Sequence, residues 1–204
     1  MGDKITSVQE ITSAQGMVTP VQGLRGAVFL LECENMRISS LDDVRAYLSI
    51  MNLNFSSLTK EQMHSCVEFS MKVIEARPYH FALQEALDLL GQSIGANVLP
   101  SKQQLGRFIE ANLLDEKDYA WQFGRSRAVN VFKNLIYKAP DAVYATSAAC
   151  ALIRQSSKVT INRDRLDLAK TMEGLAKGWP HASHARVTPI FINASSELRK
   201  KAAH

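Results

Sequence analysis

Thr59-Lys60-Glu61-Gln62-Met63-His64-Ser65-Cys66-Val67-Glu68-Phe69-Ser70-Met71-Lys72-Val73-Ile74 is the stretch on which the fold turns. It opens with Thr59 and sets Gln62 three residues later, a pairing in which hydroxyl and carboxamide each satisfy a backbone N–H that a helix start leaves unbonded. Behind that signal Met63, Cys66, Val67, Met71 and Ile74 recur at the three- and four-residue spacing of a single helix face. Pro78 closes the pattern because it restricts the backbone of Arg77. An amphipathic helix is therefore expected, with an apolar stripe that must be covered by further helices.

Those helices are written on both sides of it. Upstream, Ser40 and Asp43 can cap a helix over 41–52 carrying Val44, Leu48 and Met51. Downstream, Leu83, Ala86, Leu87, Leu90 and Ile94 predict a helix over 79–94 that frays at Gly95, and Ser101 with Gln104 repeats the capping pair before Leu105, Phe108, Ile109 and Leu113. Short connections make these segments antiparallel neighbours. A longer helix over 118–138 stops before Pro140. At about 100° per residue, Ala128, Val131, Phe132, Leu135 and Ile136 share one side, and Arg127, Asn130, Lys133, Asn134, Tyr137 and Lys138 the other. Asp141 opens an alanine-rich helix over 142–155, and Asn162 caps a helix over 163–177 with Leu166, Ala169, Met172 and Leu175, closed by Gly178.

The expected fold is all-α: a single bundle of six or seven helices within residues 25–178. A mobile polar arm over 1–24 precedes it and an irregular basic extension over 179–204 follows. The run Gly26–Leu31 is too short for periodicity to separate strand from helix. Trp179, between Gly178 and Pro180, is expected to dock on the core.

A chain of 204 residues with 46% hydrophobic and 22% charged residues can bury a core without covalent staples. Cys33, Cys66 and Cys150 are odd in number and never in CxxC spacing, which excludes a disulfide framework or zinc finger, and the apolar neighbours of Cys66 and Cys150 predict buried, reduced thiols there. Reduced thiols, no apolar leader and no long apolar run predict a cytoplasmic protein without a membrane span.

The net charge of +4 conceals an asymmetry. Up to Glu116 there are nine Lys/Arg against fourteen Asp/Glu; from Lys117 onward there are fifteen against six. A basic half of this kind suits a polyanion, and an acidic half beside it suits a protein partner or a second copy of the chain.

No constellation announces catalysis. There is no Walker loop, no GxGxxG, no nucleophile elbow and no RNA-recognition aromatic signature. Asp164 and Asp167 share a helix with Arg163 and Arg165, which reads as solvated ion pairing. His181 and His184 lack a third ligand nearby, and His64 and His80 stand alone, so neither metal nor cofactor is expected. A helix-turn-helix with Gly91 in its turn would need Gly95, Asn97 and Pro100 inside its second helix, which is poor recognition-helix chemistry.

The remaining expectation is a non-enzymatic binding protein that contacts the phosphate backbone of RNA or single-stranded DNA. Arg125, Arg127, Lys133, Lys138, Arg154, Lys158, Arg163 and Arg165 would meet phosphates, and Tyr137 would stack on a base. The opposed charges of the two halves would let copies form a homo-oligomer, the layout of nucleoproteins and filament coat proteins by analogy. The alternative is a protein–protein adaptor or chaperone-like subunit, with an apolar groove between helices and an acidic protein as its partner.

Overall fold

The computed structural model describes residues 41–78, 80–115, 121–179 and 184–203. All regular structure among them is helical: α1 (Leu41–Leu53), a 3-10 turn (Phe55–Ser57), α2 (Lys60–Ala76), α3 (Ala82–Gly95), α4 (Lys102–Glu110), α5 (Trp121–Tyr137), α6 (Ala142–Ser156), α7 (Asn162–Gly178) and α8 (His184–Ala202). The expected arm and the Gly26–Leu31 run lie outside the described residues, as do Cys33 and His181.

Both capping pairs close in both directions. The Thr59 N–H donates to Gln62 Oε1 at 2.8 Å and the Gln62 N–H donates to Thr59 Oγ1 at 3.3 Å. Ser101 and Gln104 repeat this at 2.8 and 3.2 Å. Asp141 caps α6 by accepting from the Tyr144 N–H at 2.8 Å. At the other end of α2, Arg77 takes the left-handed conformation (φ 45°, ψ 53°), which stops the helix one residue before Pro78.

The predicted stripes become the core. Cys66, Val67, Met71 and Ile74 of α2 are buried, as are Leu83, Ala86, Leu87, Leu90 and Ile94 of α3 and Ala128, Val131, Phe132, Leu135 and Ile136 of α5. One cluster of buried residues draws on all eight helices. The third helix is its hub, packed against α1, α2 and α5. Contact with α5 is close because Gly124 faces Leu83 and Leu87: a Cβ there would stand 3.1–3.2 Å from their side chains.

Three expectations need correction. The chain has eight α-helices among the described residues, not six or seven. The eighth replaces the expected irregular extension. Pro189 interrupts its hydrogen-bonding ladder and hid it from pattern reading, yet Val187, Phe191, Ser195 and Leu198 form a buried stripe at helical spacing. α8 folds back antiparallel on α7, its main neighbour. Thr188 Oγ1 donates to the Ala176 carbonyl at 3.2 Å, Ser195 Oγ and Arg199 Nε donate to Glu173 at 2.7 and 2.9 Å, and Arg165 donates to the Lys201 carbonyl at 2.7 Å. Trp179 docks at the hairpin bend, its ring 5.7 Å from that of Phe191. Second, Asn162 is the first residue of α7 and not its cap, which is Ile161, and Leu166 is exposed instead of joining the stripe. Third, Cys150 is exposed, so of the two described cysteines Cys66 alone behaves as a small core hydrophobe.

Candidate nucleic-acid interface

Helices α5 and α7 make the surface on which the basic half of the chain is displayed. Arg125, near the start of α5, is ion-paired with Asp164, near the start of α7. Tyr137, the last residue of α5, reaches the other end of α7, where its hydroxyl donates to the Gly174 carbonyl at 3.5 Å. Its ring lies so close to Gly178 that a Cβ there would come within 2.9 Å of the Tyr137 hydroxyl. The two helices therefore run in the same direction, and α6 must carry the chain back between them. Twelve residues separate the two bridges along α5, about 18 Å at 1.5 Å per residue.

The two bridges frame a strip of surface between the helices, the candidate groove, whose lining follows from helical spacing. Lys133 stands on the α5 side, two turns after Arg125 and one before Tyr137. Helical spacing from Asp164 and Gly174 places Asp167 and Thr171 on the α7 side, with Arg163 and Lys170 along its rim. Lys138 and Lys177 flank the Tyr137 end. Tyr137 is 38% exposed, so the residue is partly open to solvent while Gly178 lies against its hydroxyl end. None of Lys133, Lys138, Arg163, Lys170 and Lys177 is ion-paired with a described residue.

The nine residues singled out by sequence divide unequally. Lys133, Lys138 and Tyr137 line or flank the groove, and Arg163 stands at its Arg125 end. Arg154, exposed near the end of α6, belongs to that same end of the bundle because α6 hands over to α7 there. Arg125 is at the groove but engaged by Asp164. Lys158 lies 3.6 Å from Asp115. Arg165 is spent on structure: it donates to the Val159 and Lys201 carbonyls at 2.8 and 2.7 Å and to Asn162 Oδ1 at 3.0 Å. Arg127 faces α3 instead, its Nε 2.7 Å from Asp88 Oδ2.

No protein-family model, curated protein or solved structure matches this chain.

Sequence reasoning misplaced Asp164. It is buried and paired across helices with a residue 39 positions away, where intrahelical spacing suggested a solvated pair with its neighbours. Gly178 was also missed as the residue against which Tyr137 packs; the only signal for it is a glycine in the last turn of a helix, which reads equally as a stop. Among the described residues no group of three or more His, Cys, Asp or Glu could hold a metal, and no helix is long and apolar enough to cross a membrane. Among the described residues, exposed large apolar side chains such as Leu53, Val143, Ile161 and Ile192 come from different elements.

Proposed function

We propose that this chain is a non-enzymatic protein that binds a single strand of nucleic acid, RNA or single-stranded DNA, through its phosphates along the α5–α7 groove. What carries the reading is Tyr137: a partly exposed aromatic ring packed against Gly178 and bonded to the Gly174 carbonyl, with Lys133 one turn before it on α5 and Lys138 and Lys177 beside the two contact residues in sequence. Stacking on such a ring tolerates any base, and the cations meet a backbone that is the same for every sequence. Arg163, Arg154 and Lys170 extend the positive rim toward the Arg125–Asp164 bridge. In this reading Arg127, Lys158 and Arg165 hold the bundle together and do not meet phosphate, which narrows the set expected from sequence.

An adaptor would need a continuous apolar groove, and the scattered exposed apolar residues support it less. Assembly of copies through the acidic and basic halves is a further part of the proposal and rests on charge alone.

The test is binding of the full chain to a labelled random-sequence single-stranded oligonucleotide at several salt concentrations, with particle size followed by light scattering. Affinity that falls steeply with salt supports the groove, and growth in size supports assembly. No binding at low salt overturns the reading and leaves the adaptor.

A further inference from the structure

A second concavity lies on the opposite flank of α5. Glu85, Asp88 and Gln92 of α3 and Arg127, Asn130 and Asn134 of α5 surround a cleft of about 460 Å3, with Leu87 and Val131 among its apolar lining. That volume is within the range of small-molecule sites.

The internal bonds of the cleft say what it can still accept. Gln92 Nε2 donates to Asn52 Oδ1 at 2.9 Å, Asn52 Nδ2 to Glu85 Oε2 at 2.8 Å, Arg127 Nε to Asp88 Oδ2 at 2.7 Å, and Asn134 Nδ2 to the Gly91 carbonyl at 3.4 Å. In each residue at least one oxygen stays outside these bonds: Gln92 Oε1, Asn134 Oδ1, Glu85 Oε1 and Asp88 Oδ1. Two carboxylates against one guanidinium make the cleft net negative, so a phosphate is repelled. A neutral ring presenting N–H groups is attracted, because carboxylate and carboxamide oxygens accept from exocyclic amines and an asparagine can pair with an adenine edge bidentately. The uracil or thymine edge carries carbonyl oxygens there and meets like partial charge.

Asn130 joins this cleft to the groove. It is exposed, and it lies one turn before Lys133 and two before Tyr137 on α5. A strand with a phosphate on Lys133 can therefore drop a base over α5 into the cleft.

We propose that the cleft receives one nucleobase bearing an exocyclic amino group, adenine, cytosine or guanine, from the strand bound along α5. This rests on the nucleic-acid reading above and adds a base preference to a contact that is otherwise blind to sequence.

The experiment compares oligoadenylate, oligocytidylate and oligouridylate of equal length on the full chain and on Asn130→Ala, whose side chain has no hydrogen bond to a described residue. In parallel, free adenosine, which has no phosphate, is titrated while the side-chain amide resonances of Asn130, Asn134 and Gln92 are followed. Expected are affinities about tenfold tighter for the amino-bearing polymers, loss of most of that ratio in Asn130→Ala with the salt dependence unchanged, and movement of those amides with adenosine. Equal, salt-sensitive binding of all three polymers with unmoved amides overturns the cleft and leaves the groove standing. If no polymer binds at low salt, the groove reading fails, and adenosine alone decides: moved amides keep the cleft as a base site, unmoved amides remove it.

Discussion

Arg125 and Asp164 form an ion pair that joins two helices from inside the bundle, with the Asp164 side chain 7% exposed and that of Arg125 24% exposed. It is the tie that closes one end of the groove. A pair this shielded contributes little net stability compared with a well-packed apolar pair, yet removing one partner strands the other's charge. Asp164→Ala is expected to destabilise the fold by about 3 kcal/mol, read as a lower urea midpoint, and Asp164→Asn by less because an amide oxygen still accepts from the guanidinium. An unchanged midpoint in Asp164→Ala would show that the pair is open to water in solution.

At the groove's other end, Gly178→Ala separates support of the ring from stability. The added methyl meets the hydroxyl end of Tyr137, a side chain that can swing away, while alanine favours the helix by up to about 1 kcal/mol. Stability should move by less than about 1 kcal/mol in either direction, whereas oligonucleotide affinity should fall severalfold toward that of Tyr137→Ala. Equal affinity in wild type and Gly178→Ala argues against a stacking role for Tyr137.

Salt titrations sort the cations. Lys133→Ala or Arg163→Ala should weaken binding to all sequences alike and lower the salt slope by about one each. Arg165→Ala should instead lower the melting temperature, since its guanidinium holds the Val159 and Lys201 carbonyls. A slope unaffected by Lys133→Ala would remove this residue from the phosphate path.

Acid should loosen the α7–α8 hairpin. Hydrogen bonds from Arg199 and Ser195 to Glu173 hold its carboxyl down at about 2, against 4.5 ordinarily. Between those values the unfolded chain binds a proton that the folded chain does not, so this contribution is complete above pH 4.5 and is lost as pH falls toward 2. Glu173→Gln should flatten stability against pH in that window. A variant as acid-sensitive as wild type there would assign the acid limb to other groups.

Thiol chemistry gives an independent check on packing. Burial pushes the Cys66 thiol up to about 12, so at neutral pH it stays protonated and unreactive, while Cys150 is exposed. An alkylating reagent should modify Cys150 in the native protein and reach Cys66 only in denaturant; peptide mass mapping reads both. Native-state labelling of Cys66 would mean that α2 opens readily.

The sequence by itself determined the helices between Leu41 and Gly178, because their signals are local. Capping pairs such as Thr59 with Gln62 act within four residues, and stripes such as Leu83 to Ile94 follow from 3.6 residues per turn. It also determined where basic charge accumulates. It failed at α8, where Pro189 violates the local rule and packing on α7 overrides it. Tertiary structure alone decided what the charges do. Arg127 and Asn134 share the polar side of α5 until Asp88 and the Gly91 carbonyl of α3 engage them; Asp164 finds Arg125 rather than its sequence neighbours; Tyr137 packs against Gly178, 41 positions away, and bonds to the Gly174 carbonyl. Local propensity is settled by a residue's neighbours in the chain, but partnership depends on which helices lie side by side and at what register. No window of a few residues contains that information.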